Sequence, residues 1–100
     1  MKAVIWSTGA SRQYIEALKF LAERNLTAAA KLAERIRETL EALAVRSIGR
    51  PGHAIGTFEK IVLNTPYLLV YELGGDELRV LRLLHMSQNW RERDGSEDEA

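Results

Sequence analysis

The apolar positions of the chain change spacing from stretch to stretch, and each change marks an element. Ala3-Val4-Ile5-Trp6 is a β-branched and aromatic run that stops at Ser7-Thr8-Gly9, the pattern of a short strand meeting a turn. From Ser11 apolar residues recur every three or four positions, at Tyr14, Ala17, Leu18, Leu21 and Ala22, with Arg12, Glu16, Lys19 and Glu23 between them. That spacing predicts an amphipathic helix capped at Thr8 or Ser11 and ending near Asn25. A second helix is predicted after Thr27, its expected cap, with Ala29, Leu32, Ala33, Ile36, Leu40, Leu43 and Ala44 on one stripe. Lys31, Glu34, Arg35, Arg37, Glu38 and Glu41 form its solvated side. The break between the helices is so short that they must fold back as an antiparallel hairpin.

Ser47 to Gly56 holds three glycines and one proline in ten positions and reads as a compact loop. Three strands are expected after it, Thr57 to Asn64, Tyr67 to Leu73 and Glu77 to His85, joined by turns at Thr65-Pro66 and Gly74-Gly75-Asp76. Tight turns between consecutive strands imply an antiparallel meander. Alternation sets Leu68 and Val70 on one face and Tyr67, Leu69 and Tyr71 on the other, so both faces are apolar. One helical hairpin covers one face. The other is therefore expected to be closed by a further segment, a second copy or a different protein.

With 46% hydrophobic and 28% charged residues in 100, the chain reads as one globular domain over residues 1–90. Residues 91–100 read as a polar acidic tail, expected to be disordered and a poor lid for an apolar face. Cysteine is absent, which excludes disulfides and cysteine-based zinc sites and fits a cytoplasmic protein. The formal net charge is zero, with twelve bases and nine acids over residues 1–90 and two bases and five acids beyond. Strong direct nucleic-acid binding through phosphate neutralisation is not expected from that balance. No apolar run approaches the ~20 residues of a membrane span, so no membrane association is expected.

The glycine-rich loop lacks the Gly-Lys-Ser/Thr ending of a phosphate loop. His53 and His85 are the only histidines and do not have metal-ligand spacing, so no metal or cofactor is expected. Neither Ser47 nor Ser87 sits in a nucleophile elbow. What remains is a basic set, Arg50, His53, Lys60, Arg79, Arg82 and His85. Such groups neutralise a phosphodiester and move protons when they converge. The plainer reading makes them strand-rim cations, with Arg79 pairing Glu72 or Glu77. Arg82 and His85 fall on opposite faces of their strand by parity, which disfavours one shared site.

The order of these elements, with Gly49-Arg50-Pro51-Gly52, Gly56-Thr57-Phe58-Glu59, Pro66-Tyr67-Leu68-Leu69-Val70-Tyr71, Leu81-Arg82-Leu83-Leu84-His85 and Gln88-Asn89-Trp90, resembles the RelE/ParE superfamily of type II toxin-antitoxin toxins. The resemblance runs from about Val4 to Trp90. It implies a toxin with an α+β fold, in which the N-terminal strand and the three-stranded meander form one sheet and the helical hairpin packs on one face of it. It also implies a cognate antitoxin, ParD-like with an expected ribbon-helix-helix part, that wraps the toxin with a helix and an extended segment. Arg50, Phe58, Tyr67, Leu69, Tyr71, Arg82 and His85 are the residues expected to meet the antitoxin or the target.

Two activities occur in the superfamily. RelE-like members resemble ribosome-dependent mRNA endonucleases; on that alternative Lys60, Arg79, Arg82 and His85 are the catalytic candidates, although no tyrosine follows Leu84. ParE-like members resemble inhibitors of DNA gyrase, which need a binding surface and no nuclease centre. The Gly-Arg-Pro-Gly loop, the Pro-Tyr pair and the Leu-His ending fit that branch better, so the expectation is a gyrase inhibitor without catalytic residues. Phe58 stands where the branch commonly has arginine, which keeps a toxin-like protein with lost activity among the alternatives. Glu59 is expected to brace the Arg50 loop, and Trp90 to lock the last strand against the core.

Overall fold

The computed structural model describes residues 1–46 and 49–88. Strand β1 (Ala3–Trp6) leads into helices α1 (Thr8–Arg24) and α2 (Leu26–Arg46). The short strand β2 (Arg50–Pro51) and strands β3 (Thr57–Ile61), β4 (Tyr67–Gly74) and β5 (Glu77–His85) follow, and a 3₁₀ turn, Met86–Gln88, comes after β5. The expected tail at 91–100, and Ser47 and Trp90, lie outside the described residues.

Both helices form where expected, but other residues cap them. Ser7 Oγ accepts the Ala10 N–H at 3.0 Å and Asn25 Oδ1 accepts the Ala28 N–H at 3.2 Å, each three residues into its helix. Asn25 also donates its own N–H to Leu21 C=O at 2.7 Å. One extended residue thus closes α1 and opens α2, which makes the hairpin turn as tight as a chain allows. Of the expected α2 stripe, Ala29, Leu32, Ile36, Leu40, Leu43 and Ala44 are buried.

The sheet has the order β1-β5-β4-β3-β2. The meander is antiparallel as expected, and two features extend it. β1 joins β5 in parallel, Ala3 opposite Glu77 through Trp6 opposite Val80. The glycine-rich loop contributes β2, antiparallel to β3 with Arg50 opposite Glu59 and Pro51 opposite Phe58. β1 must bury Val4 and Trp6 under the helices, and β5 is the meander edge that β2 does not occupy. β3 ends at Ile61, three residues early, because Val62, Thr65 and Tyr67 close a wider turn in which Thr65 Oγ1 donates to Val62 C=O at 2.8 Å. Asn64 takes a left-handed φ of 62° in that turn, a conformation that asparagine tolerates.

A register shift between Val70 and Tyr71 leaves Leu81 without a partner on β4, so β5 carries a bulge. Leu78 and Val80 before it, and Leu83 after it, all reach the core under the helices. That core also holds Tyr67, Leu69 and Tyr71. Each such apolar side chain contributes about 1.5–3 kcal/mol on burial. The helices thus cover the face with the larger apolar side chains. Leu68, Val70 and Leu84 form a smaller cluster on the far face, and they are buried as well, at 1%, 9% and 9% exposure. Both faces are apolar as read, but the expected bare face is not bare at its centre. Its exposed large apolar residues, Ile5 and Ile61, sit on β1 and β3.

Candidate functional site

The motif Gly49-Arg50-Pro51-Gly52 has a clear local cause. A Cβ on Gly49 would strike Tyr71 Oη, and one on Gly52 would strike Thr57 Oγ1, so only glycine lets β2 lie this close to β3. Between these glycines, Arg50 Nε meets Glu59 Oε1 at 3.5 Å. Glu59 is only 2% exposed whereas Arg50 is 56% exposed, so a buried carboxylate holds an outward-facing guanidinium. The expected brace is present. A shallow groove of about 400 Å³ joins Arg50 to Lys60 and Ile61.

Phe58 turns toward the helices and stacks on Tyr71, with ring centroids 5.7 Å apart and planes at 25°. The aromatic that stands in the usual arginine position therefore extends the core. Leu69 and Tyr71 are fully buried beneath the hairpin and Tyr67 nearly so. Their expected place on an open binding face is corrected, because the helices choose the face that these residues occupy. Tyr71 Oη has no hydrogen-bond partner among the described residues. Burial raises the pKa values of Tyr14, Tyr67 and Tyr71, which keeps these phenols protonated near neutral pH and unsuited to act as phenolate bases.

The other expected residues are spread over the sheet. Arg79 is held by Glu77 at 3.4 Å and Glu72 at 3.9 Å, both of the partners considered from sequence. Arg82 lies opposite Val70 on the far face, away from His85. His85 sits edge-on to Tyr67 at 5.0 Å between centroids. Its Nδ1 accepts the Ser87 N–H at 3.1 Å and lies 2.6 Å from Ser87 Oγ. A backbone N–H can only donate, so the ring proton of the neutral imidazole belongs on Nε2. Among the described residues no group of three His, Asp or Glu side chains is placed to hold a metal ion.

Two adjoining grooves meet at Phe20, Tyr67 and His85. One, about 540 Å³, runs between α1 and the end of β5, past Gln13, Glu16, Ala17 and Leu83. The other, about 410 Å³, lies between the hairpin and the β3–β4 turn, past Lys31 and Arg35. Phe20, at 53% exposure, was missed from sequence although a signal existed: it falls off the apolar stripe of α1, and the Arg24 guanidinium covers its ring at 3.8 Å. Gln13 was missed too, and carried no signal at all.

A family model for the ParE toxin of type II toxin-antitoxin systems, parDE, matches residues 4–90. The chain belongs to the ParE toxin family. The Sinorhizobium fredii protein named "Putative toxin Y4kP" is 30% identical over 90 residues, 89% of this chain and 93% of that one. A solved chain described as "Chromosomal ParDE TA system from P. aeruginosa" shares the fold with a TM-score of 0.74 at 20% identity, covering 85% of this chain and 96% of that one. Membership in the ParE toxin family makes this chain a toxin component of the type II class. No helix among the described residues is long and apolar enough to cross a membrane.

Proposed function

We propose that this toxin acts in the cytoplasm by binding and inhibiting DNA gyrase, and that a ParD-like antitoxin neutralises it. One observation carries the choice of a binding mode over nuclease chemistry: the four cationic candidates do not converge. Lys60 lines the Arg50 groove, Arg79 is tied to Glu72 and Glu77, Arg82 is on the far face and His85 is on the helix side. Cleaving a phosphodiester requires acid, base and charge stabiliser within hydrogen-bond reach of one phosphate. Arg50, exposed yet aimed by buried Glu59, is the side chain best prepared to contact a large partner.

Purified full-length chain is expected to inhibit supercoiling by gyrase and to leave ribosome-bound mRNA intact. Arg50→Ala is expected to weaken that inhibition at least tenfold while the chain stays folded. Cleavage of programmed mRNA with unaffected supercoiling would overturn the proposal, and inactivity in both assays would point to a toxin-like protein with lost activity.

A further inference from the structure

β1 is an edge strand of the sheet, with β5 as its one neighbour. Ala3 N–H donates to Asp76 C=O at 2.7 Å and Ser7 N–H to Val80 C=O at 2.9 Å, so the odd-numbered residues of this segment spend their backbone groups on β5. Alternation turns the N–H and C=O groups of Val4 and Trp6 the other way. No hydrogen bond among the described residues reaches them. The free stretch is sharply bounded: Lys2 N–H is taken by Ala44 C=O at 2.9 Å, and Thr8 already belongs to α1. Natural edge strands are usually guarded by a charge, a proline or a bulge, and Ala3–Trp6 carries none of these. Ile5 lies between the two free residues, its side chain 38% exposed on the face away from the helices that Val4 and Trp6 pack toward.

We propose that β1 pairs with β1 of a second copy of this chain, antiparallel about a two-fold axis at Ile5. In that register Val4 faces the partner's Trp6 and Trp6 the partner's Val4. Each such pair exchanges both of its N–H to C=O bonds, so every free group on the two strands is satisfied. Sliding the strands by two residues would set Trp6 against Lys2, whose N–H is already used, or Val4 against Thr8, which is helical. Bonds that each copy makes on its own thus fix the register. Ile5 meets the partner's Ile5 in a non-hydrogen-bonded pair, where side chains lie closest. Lys2, the nearest charge in sequence, falls opposite Thr8, so no like charges meet. A second copy fits this edge better than an unlike strand, because Ala3–Trp6 offers no charged group with which to select one. Arg50 lies on β2 at the opposite edge, so the pairing leaves its groove uncovered and gives the dimer two of them. Three residues of strand bury little area, which makes the association weak and dependent on concentration.

The test is sedimentation velocity on the purified full chain between about 10 µM and 1 mM, where monomer is expected to pass into dimer and into nothing larger. Ile5→Lys, which sets two ammonium groups against each other on the axis, is expected to weaken the dimer at least about tenfold, and an equimolar mixture of Ile5→Lys and Ile5→Glu to restore a dimer that neither variant forms alone. Amide exchange on the unaltered chain gives an independent reading that does not depend on the variants folding. Val4 and Trp6 N–H are expected to slow as concentration rises, while Ile5 N–H, bonded to β5, stays as it was. A chain that remains monomeric throughout, a dimer that survives Ile5→Lys, or exchange at Val4 and Trp6 that ignores concentration overturns the proposal. A dimer lost on deleting residues 91–100 assigns the association to the tail and overturns it as well.

Discussion

Glu77–Val80 and Leu81–His85 are consecutive stretches of one strand, both bonded to β4 on one side, yet β1 lies beside the first alone. The first stretch is closed by backbone and needs nothing more. The second is closed by side chains, Ser7 Oγ to Leu81 C=O and Gln13 Oε1 to Leu83 N–H, and lines a groove. The difference is one of reversibility: backbone pairing is lost only when the fold opens, whereas a side-chain cap rotates away without unfolding.

The contrast can be tested by substitution. Leu78→Ala, in the closed stretch and fully buried, is expected to cost about 2–5 kcal/mol in urea unfolding, since it opens a cavity in the core between the sheet and the helices. Ser7→Ala, at the junction of the stretches, removes the cap of α1 and the bond to Leu81 together, for an expected loss of about 1–2 kcal/mol by the same measurement. Gln13→Ala is expected to cost only about 0.5–1.5 kcal/mol. Its signature is local: the Leu83 amide should exchange faster while Val80 stays protected, and equal acceleration at both would show that the two stretches open as one. Tyr71→Phe, on β4 opposite Val80, should have the smallest effect, leaving stability unchanged or up to about 1 kcal/mol higher, because the hydroxyl it removes has no partner among the described residues. A clear loss in thermal unfolding would mean that the phenol is satisfied in solution.

Much of this architecture is legible in the amino-acid pattern. The α2 stripe, β1, the antiparallel meander and the Gly75 hairpin follow from periodicity and turn chemistry, because those signals are local. The parallel pairing of β1 with β5 joins residues some seventy positions apart and leaves no local trace. The bulge left none either: Val80, Leu81, Leu83 and Leu84 are all apolar, and only the fold shows that Val80 and Leu83 share the core, a step of three that breaks a period of two. Tyr67, Leu69 and Tyr71 were assigned to a binding face because alternation separates two faces without saying which one the helices will cover. The motif glycines were visible as a loop, but β2 was not, since its reason is the close approach of Tyr71 and Thr57 to Gly49 and Gly52. The brace from Glu59 to Arg50 was legible; the edge held by Gln13 depends on where β1 stops, which only the fold defines.

The most direct measurement of the divided edge is residue-resolved amide exchange in the isolated full-length chain under native conditions. Val80 is expected to exchange only through global opening and Leu83 through release of Gln13, giving two well-separated protection levels along one strand. Equal protection at Val80 and Leu83 would contradict the account, because it would mean that the far half of β5 is as firmly closed as the half beside β1.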